Sequence, residues 1–126
     1  MIALDTHVVV WLHAGETGLF PEAARLRLDS EPAIVCPLVV LELEYLYEIE
    51  RITYPADTIM ADLSAEIGLG ICGQSFAPTL RESLKVKWTR DPFDRMIAAH
   101  AIAQDYDLLT KDGHILTHCE KAFWNG

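Results

Sequence analysis

Apolar and polar residues come in blocks along this chain. Ile2 to Leu4 is a short apolar run that stops at Asp5, the pattern of a buried first strand. Thr6 to His13 is apolar and continues as a helix, after which Gly15 and Gly18 punctuate. Pro21 stands where the first residue of a helix would, which predicts a helix over Pro21 to Asp29. Ala33 to Cys36 reads as a second strand. Pro37 then opens a long helix to about Arg51, and Pro55 opens another that ends at Gly68. Leu69 to Cys72 is a short strand, Pro78 to Val86 a helix, and Pro92 to Asp105 a well-marked helix. Asp107 to Thr110 is a further strand before Lys111-Asp112-Gly113, and Ala122 to Trp124 a last one.

Strands alternating with helices predict an α/β fold whose mainly parallel sheet is covered on both faces. In such sheets ligands bind beyond the carboxyl ends of the strands. Two carboxylates fall there, Asp5 after the first strand and Asp112 after the late one.

A chain of 126 residues fits one domain, residues 1–126, and a hydrophobic fraction of 51% supports a real core. The longest apolar stretch, Ala33 to Leu41, has nine residues and contains Pro37, far short of the ~20 that cross a bilayer. Met1-Ile2-Ala3-Leu4-Asp5 has no basic region followed by an apolar segment, so the expectation is a cytoplasmic protein without a signal peptide or membrane anchor. Cys36, Cys72 and Cys119 are scattered and form no C-x-x-C pair, which gives neither a zinc knuckle nor a disulfide framework. Ten basic residues against nineteen acidic ones give a net charge of −9, which by itself opposes nucleic-acid binding. Acids that converge on divalent metal remove that objection, because the bound ion inverts the local charge.

Glu42 carries most information about such convergence. Glu44, Glu48 and Arg51 share one stripe of the third helical segment and read as a solvated face. Glu42 is off that stripe, one turn from Leu38, Val39, Tyr45 and Leu46. A carboxylate on a buried stripe is costly unless it is paired or bound to metal. Asp91, Pro92 and Asp94 fit the N-cap, N1 and N3 positions of the next long helix, where a carboxylate also favours the helix dipole. Asp94 lies one turn before Ile97 and Ala98, on a helix apolar nearly all round, and so points inward. Asp5 and Asp112 each have a structural alternative, as a helix cap and as part of a Lys-Asp-Gly turn. Taken together, Asp5, Glu42, Asp94 and Asp112 make an all-oxygen ligand set, which suits Mg²⁺ or Mn²⁺ rather than zinc. His7, His13, His100, His114 and His118 give no H-x-x-x-H pair on a recognisable helix and read as structural or exposed. Trp11, Trp88, Trp124 and the tyrosines read as core and interface residues rather than base-stacking platforms.

Four segments carry a family likeness: Leu-Asp-Thr-His-Val-Val-Val-Trp-Leu (4–12), Leu-Glu-Leu-Glu-Tyr-Leu-Tyr-Glu-Ile (41–49), Arg-Asp-Pro-Phe-Asp-Arg-Met-Ile-Ala-Ala-His-Ala (90–101) and Leu-Leu-Thr-Lys-Asp (108–112). In this order they resemble the PIN-domain ribonucleases, and more narrowly the VapC toxins of toxin–antitoxin pairs. The Asp-Pro-Phe-Asp-Arg stretch with Ile-Ala-Ala is the most specific piece. The resemblance implies a PIN-like three-layer α/β/α sandwich with a central, mainly parallel sheet. It implies a metal-binding and catalytic quartet of Asp5, Glu42, Asp94 and Asp112, supported by Asp91 and Thr110. It further implies an RNA substrate, a homodimer, and neutralisation by a cognate antitoxin laid in the groove. Where relatives often carry Ser before the helical Glu, this chain has Cys36-Pro37.

The expected reaction is hydrolysis of an RNA phosphodiester by a metal-activated water, with Mg²⁺ (or Mn²⁺) as cofactor. Asp5 and Asp94 would hold the main ion and Glu42 and Asp112 complete its shell. Arg90, Arg95 and Lys111 flank the quartet and are candidates to hold substrate phosphate. A haloacid-dehalogenase-type phosphatase also opens with Asp after a strand, but it needs a second Asp where this chain has His7. A PIN scaffold acting only as a binding partner is the other alternative, and all four acids speak for catalysis instead.

Overall fold

The computed structural model describes residues 1–125. Five strands, β1 (Ile2–Leu4), β2 (Ala33–Val35), β3 (Gly70–Ile71), β4 (Asp107–Leu109) and β5 (Ala122–Phe123), form one sheet in the order β3-β2-β1-β4-β5. All four pairings are parallel. Seven helices connect them: α1 (Thr6–His13), α2 (Glu22–Ser30), α3 (Pro37–Glu48), α4 (Ala56–Ile67), α5 (Ala77–Ser83), α6 (Pro92–Gln104) and α7 (Gly113–His118). A single 3₁₀ turn, Thr17–Leu19, lies between α1 and α2.

Strand β1 is wholly buried because it has a strand on each side and helices above and below. Its Ile2 pairs with Ala33 and with Asp107, and its Leu4 with Leu109. Crossovers between parallel strands are right-handed. Connections stepping from β1 toward β3 therefore cover one face, those stepping back toward β5 cover the other, and a three-layer α/β/α sandwich results. Between β1 and β4 the chain leaves in opposite directions, to β2 from one strand and to β5 from the other. That reversal opens a crevice at the carboxyl ends of β1 and β4. The core runs through Leu4, Val8, Val35, Leu43, Ile97, Leu108 and Ile115, all essentially inaccessible.

Helix ends show why the elements stop where they do. Pro37 occupies the first position of α3, as its spacing predicts. Pro21 and Pro55 instead sit one residue earlier, as N-caps of α2 and α4. Helix α3 stops at Glu48 rather than near Arg51, because Glu50 turns left-handed (φ 62°) and Arg51 N–H reaches back to the Leu46 carbonyl at 2.8 Å. Asp105 ends α6 in the same way (φ 58°), with Tyr106 N–H on the Ala101 carbonyl at 2.9 Å. The predicted helix over Pro78 to Val86 is shorter and earlier, Ala77–Ser83. Helix α7 was hidden in sequence by its length, six residues without a full apolar period.

Candidate active site

The crevice at the carboxyl ends of β1 and β4 is built on Thr110. Its backbone leaves β4, and its buried hydroxyl donates to Asp5 Oδ2 at 2.7 Å. The same oxygen accepts the backbone N–H of Asp112 at 3.0 Å. The Thr110 hydroxyl therefore fixes both the first and the last acid of the candidate quartet. Asp5 is only 5% exposed; its other oxygen accepts Thr6 N–H at 2.8 Å and caps α1. Asp112 caps α7 by accepting from His114 N–H at 2.9 Å and Ile115 N–H at 3.0 Å through Oδ1. Lys-Asp-Gly is thus the start of a helix rather than an isolated turn.

The same device recurs before α6. Thr89 Oγ1 accepts Asp91 N–H at 3.2 Å, and Asp91 caps α6 through Phe93 N–H at 2.9 Å and Asp94 N–H at 3.0 Å. Thr89-Arg90-Asp91 and Thr110-Lys111-Asp112 are one local pattern used twice. In each the threonine bends the chain, the aspartate caps a helix and the basic residue is exposed between them. Asp94 sits half-buried in the first turn of α6. Glu42, half-buried on α3, accepts the Thr6 hydroxyl, so α1 and α3 meet through a polar contact at the crevice.

The electrostatics show that these acids share one space. Burial raises the Asp94 carboxyl to about 7, and the negative charges of Asp91, Asp5, Asp112 and Glu42 add to the rise. Burial also raises Glu42, against the Thr6 hydrogen bond and with the repulsion of Asp5 and Asp91. Asp5 is raised by burial as well, partly offset by its bonds from Thr110 and Thr6 and by nearby His7. Clustered carboxylates held above their ordinary range lack a compensating positive charge.

The donor set fits a hard divalent cation, since every candidate ligand is a carboxylate oxygen. Asp5, Glu42, Asp94 and Asp112 would hold it. Among the described residues no three acidic, imidazole or thiol groups stand close enough together to hold a metal ion between them. Mg²⁺ retains several waters and needs only one or two direct carboxylates. Cys36 contributes nothing here, because burial pushes its thiol up to about 11.

Several side chains stand elsewhere than their spacing suggests. Tyr45 is 47% exposed, so Glu42 lies at the edge of the buried stripe and not within it. Glu44 is not simply solvated; its Oε1 accepts Ala56 N–H at 3.1 Å and holds the start of α4. Arg95 turns away to the Ser83 carbonyl, 2.8 Å from its Nε, and ties α6 to α5. Arg90 and Lys111 remain exposed at the rim. His114 and His118 do form a pair one turn apart on a helix, α7, with their rings 4.7 Å apart and Trp88 stacked on His118. Sequence reasoning passed over Thr6 and Thr89, although each stands beside or two residues before a singled-out Asp, the spacing of a hydroxyl–backbone turn.

Known proteins share this fold. The chain is 29% identical over 119 residues to Ribonuclease VapC22 of Mycobacterium tuberculosis, covering 93% of this chain and 91% of that protein. Its fold matches a crystal structure of VapBC2 from Rickettsia felis bound to a DNA fragment from their promoter. There the TM-score is 0.68 at 18% identity, over 98% of this chain and 96% of the other. The family model for the PIN domain matches residues 2–121, the span from β1 to the start of β5, and the chain belongs to the PIN-domain family.

Proposed function

We propose that this protein is a Mg²⁺- or Mn²⁺-dependent endoribonuclease, the toxin of a toxin–antitoxin pair. The observation that carries this reading is the pair of acids at the carboxyl ends of β1 and β4, Asp5 and Asp112, joined through the Thr110 hydroxyl. The likeness to Ribonuclease VapC22 supports RNA as the substrate. A divalent ion bound there supplies a water of lowered pKa and balances the charge that develops at phosphorus.

The chain's own groups set the geometry for that chemistry. Thr110 holds the Asp5 carboxylate and Asp112 backbone rigidly, and Thr6 orients Glu42. Arg90 and Lys111 offer exposed positive charge on either side, where a polyanion must pass a molecule of net charge −9. The VapBC2 complex supports an antitoxin partner, and an acid-lined crevice accepts an arginine from such a partner in place of metal. Exposed apolar residues one turn apart on α3, Leu41, Tyr45 and Ile49, support self-association as a homodimer.

The test is direct. Protein purified free of any partner should cleave RNA with Mg²⁺ or Mn²⁺ and stop in EDTA. No cleavage with either metal leaves a binding scaffold as the better reading, and cleavage that persists in EDTA, in protein shown free of other nucleases, removes the metal dependence.

A further inference from the structure

Within the crevice lies a pocket of about 250 Å³ lined by Asp5, His7, Trp11, Lys111 and Asp112. Trp11 is half-buried, and its indole packs against two other aromatic rings. Trp124 stands 6.0 Å away at 66° and Phe20 6.4 Å away at 55°. The His7 ring lies 6.2 Å along α1 from it. Lys111 Nζ is 5.8 Å from the centroid of the indole. A packed flat ring, a lysine ammonium over it and two acids within the same pocket are the parts of a nucleotide subsite. The ring offers a stacking face, and the cation a phosphate contact.

We propose that Trp11 is the stacking platform for one unpaired base of the RNA strand, with Lys111 holding a phosphate next to that base. This rests on the ribonuclease reading above and deepens it, because it assigns the two side chains that hold one nucleotide of the strand. A base inside a duplex has both faces covered and cannot stack on the indole. A base arriving on the ring sends the flexible Lys111 ammonium onto the flanking phosphate, exchanging a cation–π contact for a charge-assisted hydrogen bond. An arginine from a polypeptide is a poorer occupant, since it would bring a second cation against Lys111. Trp11 also cannot be read as core filler alone: its ring borders a pocket shared with two of the four acids.

The experiment measures binding of a fluorescent single-stranded RNA decamer with Ca²⁺ in place of Mg²⁺, under conditions checked to give no cleavage, and of the same sequence as a duplex. Trp11→Leu should weaken single-strand binding about 5- to 150-fold, the range for losing an aromatic from under a stacked base. Trp11→Phe should retain most of it, and weak duplex binding should change little. Melting curves establish that both variants fold. A decamer carrying 5-iodouridine should photocrosslink to Trp11 in the wild-type protein. Unchanged affinity in a folded Trp11→Leu variant, or a crosslink confined to other residues, overturns the proposal. So does a variant that loses only the binding of an octa-arginine peptide, which would assign the ring to a basic polypeptide. Cleavage assays with Mn²⁺ separate the two levels. A wild type that cleaves alongside an unaffected Trp11→Leu variant removes the platform and keeps the ribonuclease, whereas a wild type that neither binds nor cleaves removes both.

Discussion

Thr110 donates its hydroxyl to Asp5 across 105 positions of sequence, at 2.7 Å and out of contact with water. Replacing Thr110 by Val keeps the shape but leaves the buried Asp5 oxygen without a partner. The expected cost is ~1–3 kcal/mol in stability, the penalty for an orphaned buried acceptor. Asp112 loses the acceptor for its backbone N–H as well, so cleavage should fall at least tenfold in protein that is still folded. Thr110→Ser should restore most of both. Normal cleavage by Thr110→Val would show that the hydroxyl serves the sheet and not the site.

Asp94→Asn separates function from stability at one residue. The substitution preserves volume and removes one of several repelling charges. It should abolish cleavage, leave metal-free stability equal or higher, and shrink the rise in melting temperature on adding Mn²⁺. For the wild type that rise corresponds to ~2.7 kcal/mol at a hundredfold excess over Kd. Were Asp94 only a helix-terminal charge, its loss would instead cost a few tenths to ~1 kcal/mol and cleavage would continue. A less stable variant with full activity would falsify the assignment.

The metal-free protein should become less stable as pH rises from about 4 to about 7. Asp94 ionises near 3.8 when unfolded and at about 7 when folded, so the native state binds the extra proton within that window. Its stabilising contribution is fully present below the unfolded value and is lost as pH climbs through the folded one. Asp5 and Glu42 are shifted in the same direction. Protons and cation compete for these oxygens, so Mn²⁺ affinity should rise over the same range. Melting temperatures of wild type and Asp94→Asn from pH 4.5 to 8, with and without Mn²⁺, measure both effects. Parallel curves for the two proteins would refute the coupling.

Leu41 is 57% exposed on α3, where a charge costs the monomer little. Leu41→Lys should therefore leave the melting temperature of dilute protein nearly unchanged while weakening self-association at least tenfold. Sedimentation across a concentration series reads the effect. A dimer of unaltered strength would place the interface on another face.

The amino-acid sequence by itself determined the alternation of strands and helices, because buried parallel strands must be apolar throughout and the helices between them need capping and proline signals. Ile2–Leu4, Pro37 and the Asp91-Pro92 start of α6 are legible for that reason. The sequence also singled out Asp5, Glu42, Asp94 and Asp112, since acids next to apolar runs are costly without a role. It did not show α7, whose six residues are too few for a helical period and which begins only because Asp112 caps it. Nor did it show that Tyr45 faces outward, that Arg95 is held by Ser83, or that Thr6 and Thr110 hold Glu42 and Asp5. The two threonine contacts join residues distant in sequence, and they exist only once the order β2-β1-β4 brings three chain segments side by side. Trp11 shows the difference most clearly. Its apolar surroundings in sequence suit a core residue, and only the packing of Trp124 and Phe20 against it leaves the ring bordering the pocket that Asp5 and Asp112 share.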